Sequence, residues 1–263
     1  MPGRVAVVTG ASGRLGSVWT SALLDGGAGV LAIDLMEQPS PSLKEVVALH
    51  PADRFHFVQA DVTERGSLLE AWDACLNHFD VPDVLVNNAG IDQPPSATAV
   101  SWPFGDIPAE LSQSVLDVNA LGALLMCQVF GPAMAERGRG SVINIGSLYG
   151  GLAPDPRLYE HLPADPPFLK PPAYAMSKAG VGALTRYLAA LWGPAGVRVN
   201  TLVPGGVLAD QDAEFRAKFT ARVPLRRMAE AEDLTGPFLF LASDLSRYVT
   251  GTEVIADGGY GCW

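Results

Sequence analysis

The chain has 263 residues, of which 48% are hydrophobic and 17% charged, and its formal net charge is −10 at pH 7. A chain of this length buries roughly three-quarters of its unfolded surface, so we expect a globular protein with a large core. The acidic balance argues against a nucleic-acid partner, which requires a basic face.

The cysteines and the N-terminal segment bear on location. Cys75, Cys127 and Cys262 are scattered, without the pairing or nearby histidines typical of a metal site or a disulfide framework. The chain starts with a short apolar strand rather than a signal peptide, and it contains no continuous run of about 20 apolar residues. We therefore predict a cytoplasmic protein without a metal or a membrane segment, in one domain that spans residues 1–263.

Short apolar segments alternate with segments of helical periodicity along the chain. The predicted strands are Arg4–Thr9, Gly29–Asp34, Phe55–Ala60, Asp83–Asn87, Ser141–Ile145, Val197–Val203 and Glu253–Ala256. The predicted helices are Leu15–Gly26, Glu64–Phe79, Ala109–Ala135, Ala173–Trp192 and Glu230–Ala242. Most strands are apolar on both faces, as in a parallel sheet that helices cover on two sides. The alternation predicts an α/β fold, a doubly wound parallel sheet that binds ligands at the C-terminal ends of its strands.

The first predicted strand ends in a glycine-rich turn, Thr9–Gly16 (TGASGRLG), that leads into a helix. Such glycines let the backbone approach a pyrophosphate, whose charge the helix N-terminus stabilises. Asp34 ends the second strand, where a carboxylate can accept hydrogen bonds from an adenosine ribose and would repel a 2′-phosphate. An ordinary strand–helix turn and a strand-end cap are the alternatives. The α/β context favours a dinucleotide site that prefers NAD over NADP.

Two long loops, Ile91–Pro108 and Leu152–Pro172, interrupt the alternation, and the second contains seven prolines. Loops of this length in a compact domain are usually functional or disordered. We predict that Leu152–Pro172 covers the substrate, because Arg157, Tyr159, His161 and Lys170 supply cationic and hydrogen-bonding groups there. A solvated loop that makes subunit contacts is the alternative.

Tyr174 and Lys178 lie at positions i and i+4 of a predicted helix, and therefore on one face of it. A free tyrosine has a pKa of about 10, which is too high for a base at neutral pH. A neighbouring ammonium and an oxidised nicotinamide would both lower the pKa of Tyr174. Alone, such a pair is more often a solvated surface pair, so its meaning depends on the residues that accompany it.

Together these segments resemble the short-chain dehydrogenase/reductase family over nearly the whole chain, from Val5 to Gly259. The similar segments follow the family's order: Thr9–Gly16, Asp61-Val62, Asn87–Gly90 (NNAG), Asn119 in DVNALG, Ser147 in INIGS, Tyr174–Lys178 (YAMSK), Pro204-Gly205 and Asp257–Gly259. The resemblance implies a single-domain, Rossmann-like fold with helices on both faces of the sheet. It also implies a homo-oligomer, which we expect to be a tetramer.

The resemblance implies roles for the site residues as well. Tyr174 would exchange a proton with the substrate oxygen, and Ser147 would hydrogen-bond that oxygen. Lys178 would bind the nicotinamide ribose and lower the pKa of Tyr174, and Asn119 would hold a water that links Lys178 to solvent. The residues expected to bind the cofactor are Gly10, Ser12, Gly13, Arg14, Leu15, Gly16, Asp34, Asp61, Val62, Asn88, Ala89, Gly90, Tyr174, Lys178, Pro204, Gly205 and Val207. The candidate substrate ligands are Ser147, Tyr149, Arg157 and His161.

Two features depart from the family's common pattern. The turn carries Gly13 and Arg14 where TGxxxGxG is usual, a spacing that resembles the extended branch of the superfamily, with its epimerases and dehydratases. Only about sixty residues follow Pro204, too few for that branch's substrate domain. Arg14 could also bind a phosphate, which keeps NADP as an alternative. The segment between Ser147 and Tyr174 is longer than is usual and loosely resembles a subgroup in flagellin-glycan and nonulosonic-sugar synthesis.

We therefore predict an NAD-dependent alcohol dehydrogenase or ketoreductase that acts on a polar, sugar-like small molecule. An epimerase or dehydratase that retains NAD is one alternative, and a catalytically silent dinucleotide-binding sensor is another. The complete set of Asn119, Ser147, Tyr174 and Lys178 argues against the sensor.

Overall fold

The computed structural model describes residues 1–93 and 100–263. A seven-stranded sheet forms its centre, in the order β3-β2-β1-β4-β5-β6-β7 with every pair parallel. The strands are β1 (Val5–Thr9), β2 (Gly29–Asp34), β3 (Phe55–Gln59), β4 (Val84–Asn87), β5 (Gly140–Ile145), β6 (Val197–Pro204) and β7 (Glu253–Ala256). The predicted doubly wound parallel sheet is confirmed, and each predicted strand end lies within one residue of the observed end.

The helices differ from the prediction more than the strands do. They are α1 (Arg14–Asp25), α2 (Pro41–Val47), α3 (Arg65–His78), α4 (Ala109–Leu116), α5 (Gly122–Arg137), α6 (Pro172–Trp192), α7 (Ala213–Arg222) and α8 (Thr235–Ala242). A π-helical turn, Asp117–Leu121, joins α4 and α5, which the sequence analysis treats as one helix. Helix α2 and the bounds of α7 were not predicted from the sequence. Both helices are short. The N-cap residues Ser40 and Asp212 are much of what marks their starts in the sequence.

Alternation along the strands divides the apolar core between the two faces of the sheet. In β1, Ala6 and Val8 pack on one face, whereas Val5 and Val7 pack on the other. The first face carries α1 and α8, whose Trp19 and Phe238 rings stack with centroids 4.6 Å apart. The second face carries α3, α5 and α6. This arrangement buries both faces of the sheet and leaves the C-terminal edge of the strands for ligands.

One helical segment, Ala109–Arg137, has the length and hydropathy of a membrane-spanning helix. Its α5 part packs on the second face of the sheet through Met126, Phe130 and Met134, which are fully buried there. A core helix of a folded domain has the same composition, and we interpret this segment as one.

The proline-rich loop 152–172 packs against α7 in a third apolar cluster. The Tyr159 ring lies 5.2 Å from the Phe168 ring and 5.8 Å from the Phe215 ring of α7, between centroids. Leu158 and Leu162 are buried in the same cluster. The loop is therefore an ordered wall beside the C-terminal edge of the sheet, which is where a substrate-covering segment has to lie.

Candidate active site

The glycine-rich turn after β1 is packed too closely for side chains. Gly10 has a φ of +61°, and a Cβ there would lie 2.8 Å from the Cα of Ala89. A Cβ on Gly16 would overlap the carbonyl oxygen of Gly10. The Asn88 side chain donates to the carbonyls of Thr9 (2.9 Å) and Gly10 (3.0 Å) and so fastens the turn to the end of β4. The turn is thereby held open beside the N-terminus of α1, the geometry that a pyrophosphate requires.

A cavity of about 550 Å³ extends along this turn. Eleven of the predicted cofactor-binding residues line it: Gly10, Ser12, Gly13, Arg14, Leu15, Asp34, Asp61, Val62, Asn88, Ala89 and Gly90. An adjoining cavity of about 310 Å³ shares Asn88 and Gly90 with it and reaches Tyr174, Lys178, Pro204, Gly205 and Val207. The two cavities form one elongated cleft whose shape and backbone donors fit a dinucleotide. Gly16 alone of the predicted set lines neither cavity, since it packs inside the turn.

Asp34 and Arg14 hold different parts of this cleft. Asp34 accepts hydrogen bonds from the backbone N–H groups of Ser12 (2.8 Å) and Met36 (3.2 Å), which fix its carboxylate in the cavity wall. The Arg14 guanidinium donates to the carbonyl of Leu208, in the segment that follows β6. Arg14 therefore extends across the cleft to the segment beside Val207, where it uses one of its N–H donors.

The end of β5 and the start of α6 bring the predicted catalytic side chains together. Ser147 follows β5 by two residues, and it lines the same two cavities as Tyr174, the third residue of α6. One helical turn further on, Lys178 is buried, donates to the carbonyl of Ile145 (2.8 Å) and lies 5.8 Å from the centroid of the Tyr174 ring. A serine, a tyrosine and a lysine thus meet at the inner end of the dinucleotide cleft.

Burial controls the proton affinities of Tyr174 and Lys178. It raises the pKa of Tyr174 to about 12; the Asp92 carboxylate acts in the same direction, and the Ser147 hydrogen bond opposes both. Burial also lowers the pKa of Lys178 to about 8, against the opposing charge of Asp92. The protein's own groups therefore keep Tyr174 protonated at neutral pH. The prediction that Lys178 lowers the pKa of Tyr174 stays a prediction.

Asn119 lies in the π-helical turn, and its side chain is occupied by protein partners. Its Oδ1 accepts from the N–H of Ile91 (2.8 Å), and its Nδ2 donates to the Ile91 carbonyl (2.9 Å) and to the Ser177 hydroxyl (3.2 Å). The side chain thus fastens the segment after β4 to α6. Its predicted role in holding a water stays a prediction.

A smaller cavity of about 160 Å³ lies beside Tyr174 and Ser147. Polar groups line much of it: Asp92, Ser147, Tyr149, Tyr159, Lys170, Tyr174 and Gln211. The hydroxyls of Tyr149 and Tyr159 are 3.1 Å apart. The proline-rich loop thus contributes Tyr159 and Lys170 to the wall of a cavity that adjoins the proton-donating tyrosine.

Arg157 and His161 do not line this cavity, contrary to the prediction. The exposed Arg157 guanidinium binds Asp155 with N···O distances of 2.7 to 3.2 Å. His161 pairs with Asp212 (3.0 Å), the N-cap of α7. The Arg157 pair lies within the loop, whereas the His161 pair holds the loop to the start of α7. Lys170 was predicted to supply a cation to the loop but was not assigned to the site, and Asp92 and Gln211 were not predicted from the sequence. The one sequence feature that could have identified Asp92 is its position shortly after Asn87–Gly90.

Comparisons with known proteins agree with this geometry. Residues 4–159 match the family model described as short chain dehydrogenase, and residues 164–261 match the model described as Enoyl-(Acyl carrier protein) reductase. The chain is 34% identical to D-arabinitol 2-dehydrogenase [ribulose-forming] of Scheffersomyces stipitis, over 100% of this chain and 95% of that protein.

Two crystal structures extend the likeness to the fold. A short chain dehydrogenase from Leptospira borgpetersenii with bound NAD+ matches with a TM-score of 0.85 and 36% identity, over 99% of this chain and 93% of that one. A gluconate 5-dehydrogenase from Burkholderia cenocepacia in complex with NADP and tartrate matches with a TM-score of 0.85 and 26% identity, over 100% and 97% of the two chains. The chain belongs to the short-chain dehydrogenase/reductase family of NAD(P)-dependent oxidoreductases.

Proposed function

We propose that the protein is an NAD-dependent dehydrogenase that interconverts a secondary alcohol and a ketone in a polyol or a sugar. The observation that carries the proposal is the position of Ser147 and Tyr174, which line both the dinucleotide cleft and the small polar cavity. The likeness over the whole chain to a D-arabinitol 2-dehydrogenase supports a polyhydroxylated substrate.

The chain's own residues account for the binding of the reacting oxygen and for the proton transfer. A bound nicotinamide supplies or accepts the hydride. The hydroxyls of Ser147 and Tyr174 hold the substrate oxygen, and Tyr174 Oη gives it a proton in ketone reduction and takes one in alcohol oxidation. The Lys178 ammonium favours the phenolate at the moment when Tyr174 loses its proton. The Ile145 carbonyl keeps that ammonium in position.

The preference for NAD over NADP is part of the proposal and rests on Asp34. Its carboxylate is held in the cleft wall by two backbone donors and keeps acceptor capacity for ribose hydroxyls. A 2′-phosphate at that position would meet a fixed negative charge. Arg14, the alternative determinant, is engaged with Leu208.

We also propose that the protein is a homo-oligomer, a tetramer by its resemblance to the family. Large apolar side chains of α6 lie exposed, with 60% exposure at Met176, 68% at Tyr187 and 55% at Leu191. Ile255 on the edge strand β7 is 63% exposed. Such apolar surface is typical of subunit contacts.

The direct test is NADH formation by purified protein with NAD+ and a panel of polyols and sugars, followed by product identification. We expect net NADH formation with at least one polyol and conversion of that polyol to a ketose. Epimerised product without net NADH would instead support the retained-cofactor alternative. Binding of NADH without turnover of any compound would support the sensor.

A further inference from the structure

An ion pair lies in the wall of the small cavity, beside the ring of Tyr174. Lys170 Nζ is 2.5 Å from the Asp92 carboxylate and 5.0 Å from the centroid of the Tyr174 ring. The Lys170 side chain is only 5% exposed. The catalytic roles of Ser147, Tyr174 and Lys178 do not require this pair, so it needs a separate explanation.

We propose that Lys170 and Asp92 form a paired subsite that selects neutral substrates with a hydroxyl next to the reacting carbon, and that it disfavours the corresponding sugar acids. This inference rests on the proposed dehydrogenase function and names the substrate class within it. The likeness to an arabinitol dehydrogenase and to a gluconate dehydrogenase leaves that choice open.

The charge balance of the cavity supports a neutral substrate. Among the described residues that line it, Asp92 and Lys170 carry the only formal charges, and they are paired. The remaining polar lining consists of hydroxyls and the Gln211 amide. A carboxylate that leaves water needs a cation to offset its desolvation. Here the cation is already offset by Asp92, which would also repel the incoming carboxylate.

The unused hydrogen-bonding capacity of the pair matches a hydroxyl group. An ammonium has three donors, and Lys170 uses two of them, on Asp92 and on the Gln93 carbonyl (3.0 Å). Asp92 accepts from Lys170 and from the N–H of Gln93 (2.8 Å) and has lone pairs left. A hydroxyl both donates and accepts, so it can satisfy Asp92 and Lys170 together. A carboxylate only accepts.

The extended loop positions this lysine. Pro171 and Pro172 follow Lys170 directly and lead into α6, where Tyr174 is the third residue. Each proline restricts φ, so the backbone between Lys170 and Tyr174 has little freedom. From the other side, Asp92 and the Gln93 carbonyl hold the ammonium. The subsite is therefore fixed relative to the reacting oxygen before a substrate arrives.

The test compares D-arabinitol with D-arabinonate, which share a carbon chain and differ in charge. If the panel identifies a faster polyol, that polyol and its aldonate replace them. We would measure kcat/KM for the polyol and Ki for the aldonate as its competitive inhibitor. The variants are Asp92→Asn, which leaves Lys170 unbalanced, and Lys170→Met, which removes the cation. The control is Arg157→Gln, which removes an exposed cation from the same loop outside the cavity.

We expect D92N to bind the aldonate about tenfold more tightly or better, equivalent to about 1.4 kcal/mol. It should also lower kcat/KM for the polyol. K170M should weaken aldonate binding, the opposite direction, and R157Q should leave both constants within about twofold. K170M and R157Q should keep the wild-type Kd for NADH by fluorescence titration, which checks their folding. Because Asp92 also lines the dinucleotide cleft, the folding of D92N is checked by circular dichroism.

An unchanged Ki for the aldonate in correctly folded D92N would overturn the inference and leave the proposed function standing. A higher kcat/KM of the wild-type protein for the aldonate than for the polyol would also overturn the inference and leave the proposed function standing. Failure of the proposed function looks different, since wild-type protein would then oxidise no polyol or sugar at all. That result would refute the inference about the paired subsite as well.

Discussion

Replacing the buried Lys178 with methionine should change how the stability of the protein depends on pH. Burial lowers the pKa of Lys178 from 10.5 to about 8 in the folded protein. Below pH 8 both the folded and the unfolded chain hold the proton, and the folded protein bears the full cost of burying the ammonium. Between pH 8 and pH 10.5 only the unfolded chain holds it, so wild-type stability rises with pH relative to the variant.

The size of the effect follows from the same values. Each pH unit in which only the unfolded chain is protonated adds about 1.4 kcal/mol to the free energy of unfolding. The full rise, completed above pH 10.5, is therefore on the order of 3 kcal/mol. The hydrogen bond to the Ile145 carbonyl is lost in K178M at a cost of about 1 kcal/mol, but this loss does not depend on pH. At pH 7 we expect K178M to be the more stable protein, although catalytically impaired.

Urea denaturation of both proteins at pH 7, 8, 9 and 10, followed by circular dichroism, measures the difference directly. The advantage of K178M should shrink steadily above pH 8. A difference in unfolding free energy that stays constant from pH 7 to pH 10 would refute the reasoning. It would mean that Lys178 keeps an ordinary pKa despite its burial.

Three further substitutions test the rest of the site, and one measurement tests the oligomeric state. Asp34→Ala should raise KM for NAD+ and narrow the preference over NADP+; tighter binding of NADPH than NADH by wild-type protein would contradict the role of Asp34. Tyr174→Phe should lower kcat by about 10²- to 10⁴-fold and change the Kd for NADH far less, because it removes the proton donor but keeps the ring that lines the cleft. His161→Ala removes the bond to Asp212 that holds the loop to α7 and should raise KM for the substrate severalfold, an effect that is absent if the loop is held by apolar packing alone. Light scattering should detect a tetramer, and a monomer at micromolar concentration would remove that proposal.

The sequence alone determined the features that depend on local pattern. Strands were located to within one residue, because an apolar run bounded by turn residues is a local signal. The ordered series of motifs from the turn at Thr9–Gly16 to Asp257–Gly259 was sufficient to identify the family. These residues lie at strand ends and helix starts, and a doubly wound sheet brings all such ends to one edge.

The tertiary structure alone decided which polar side chains reach the substrate cavity. Arg157 and His161 looked equivalent to Lys170 in sequence, yet Asp155 and Asp212 bind the first two outside the cavity. Lys170 points inward because Asp92, 78 residues away along the chain, lies beside it. The partner of a charged side chain is set by which segments the fold makes neighbours, and that information is not local.

The same reason applies to the proton affinities. The pattern YxxxK predicts a lysine near the tyrosine, but not how deeply the two are buried or that Asp92 lies close to both. Burial and that carboxylate raise the pKa of Tyr174 to about 12. Desolvation depends on everything that surrounds a group, so only the folded chain determines it.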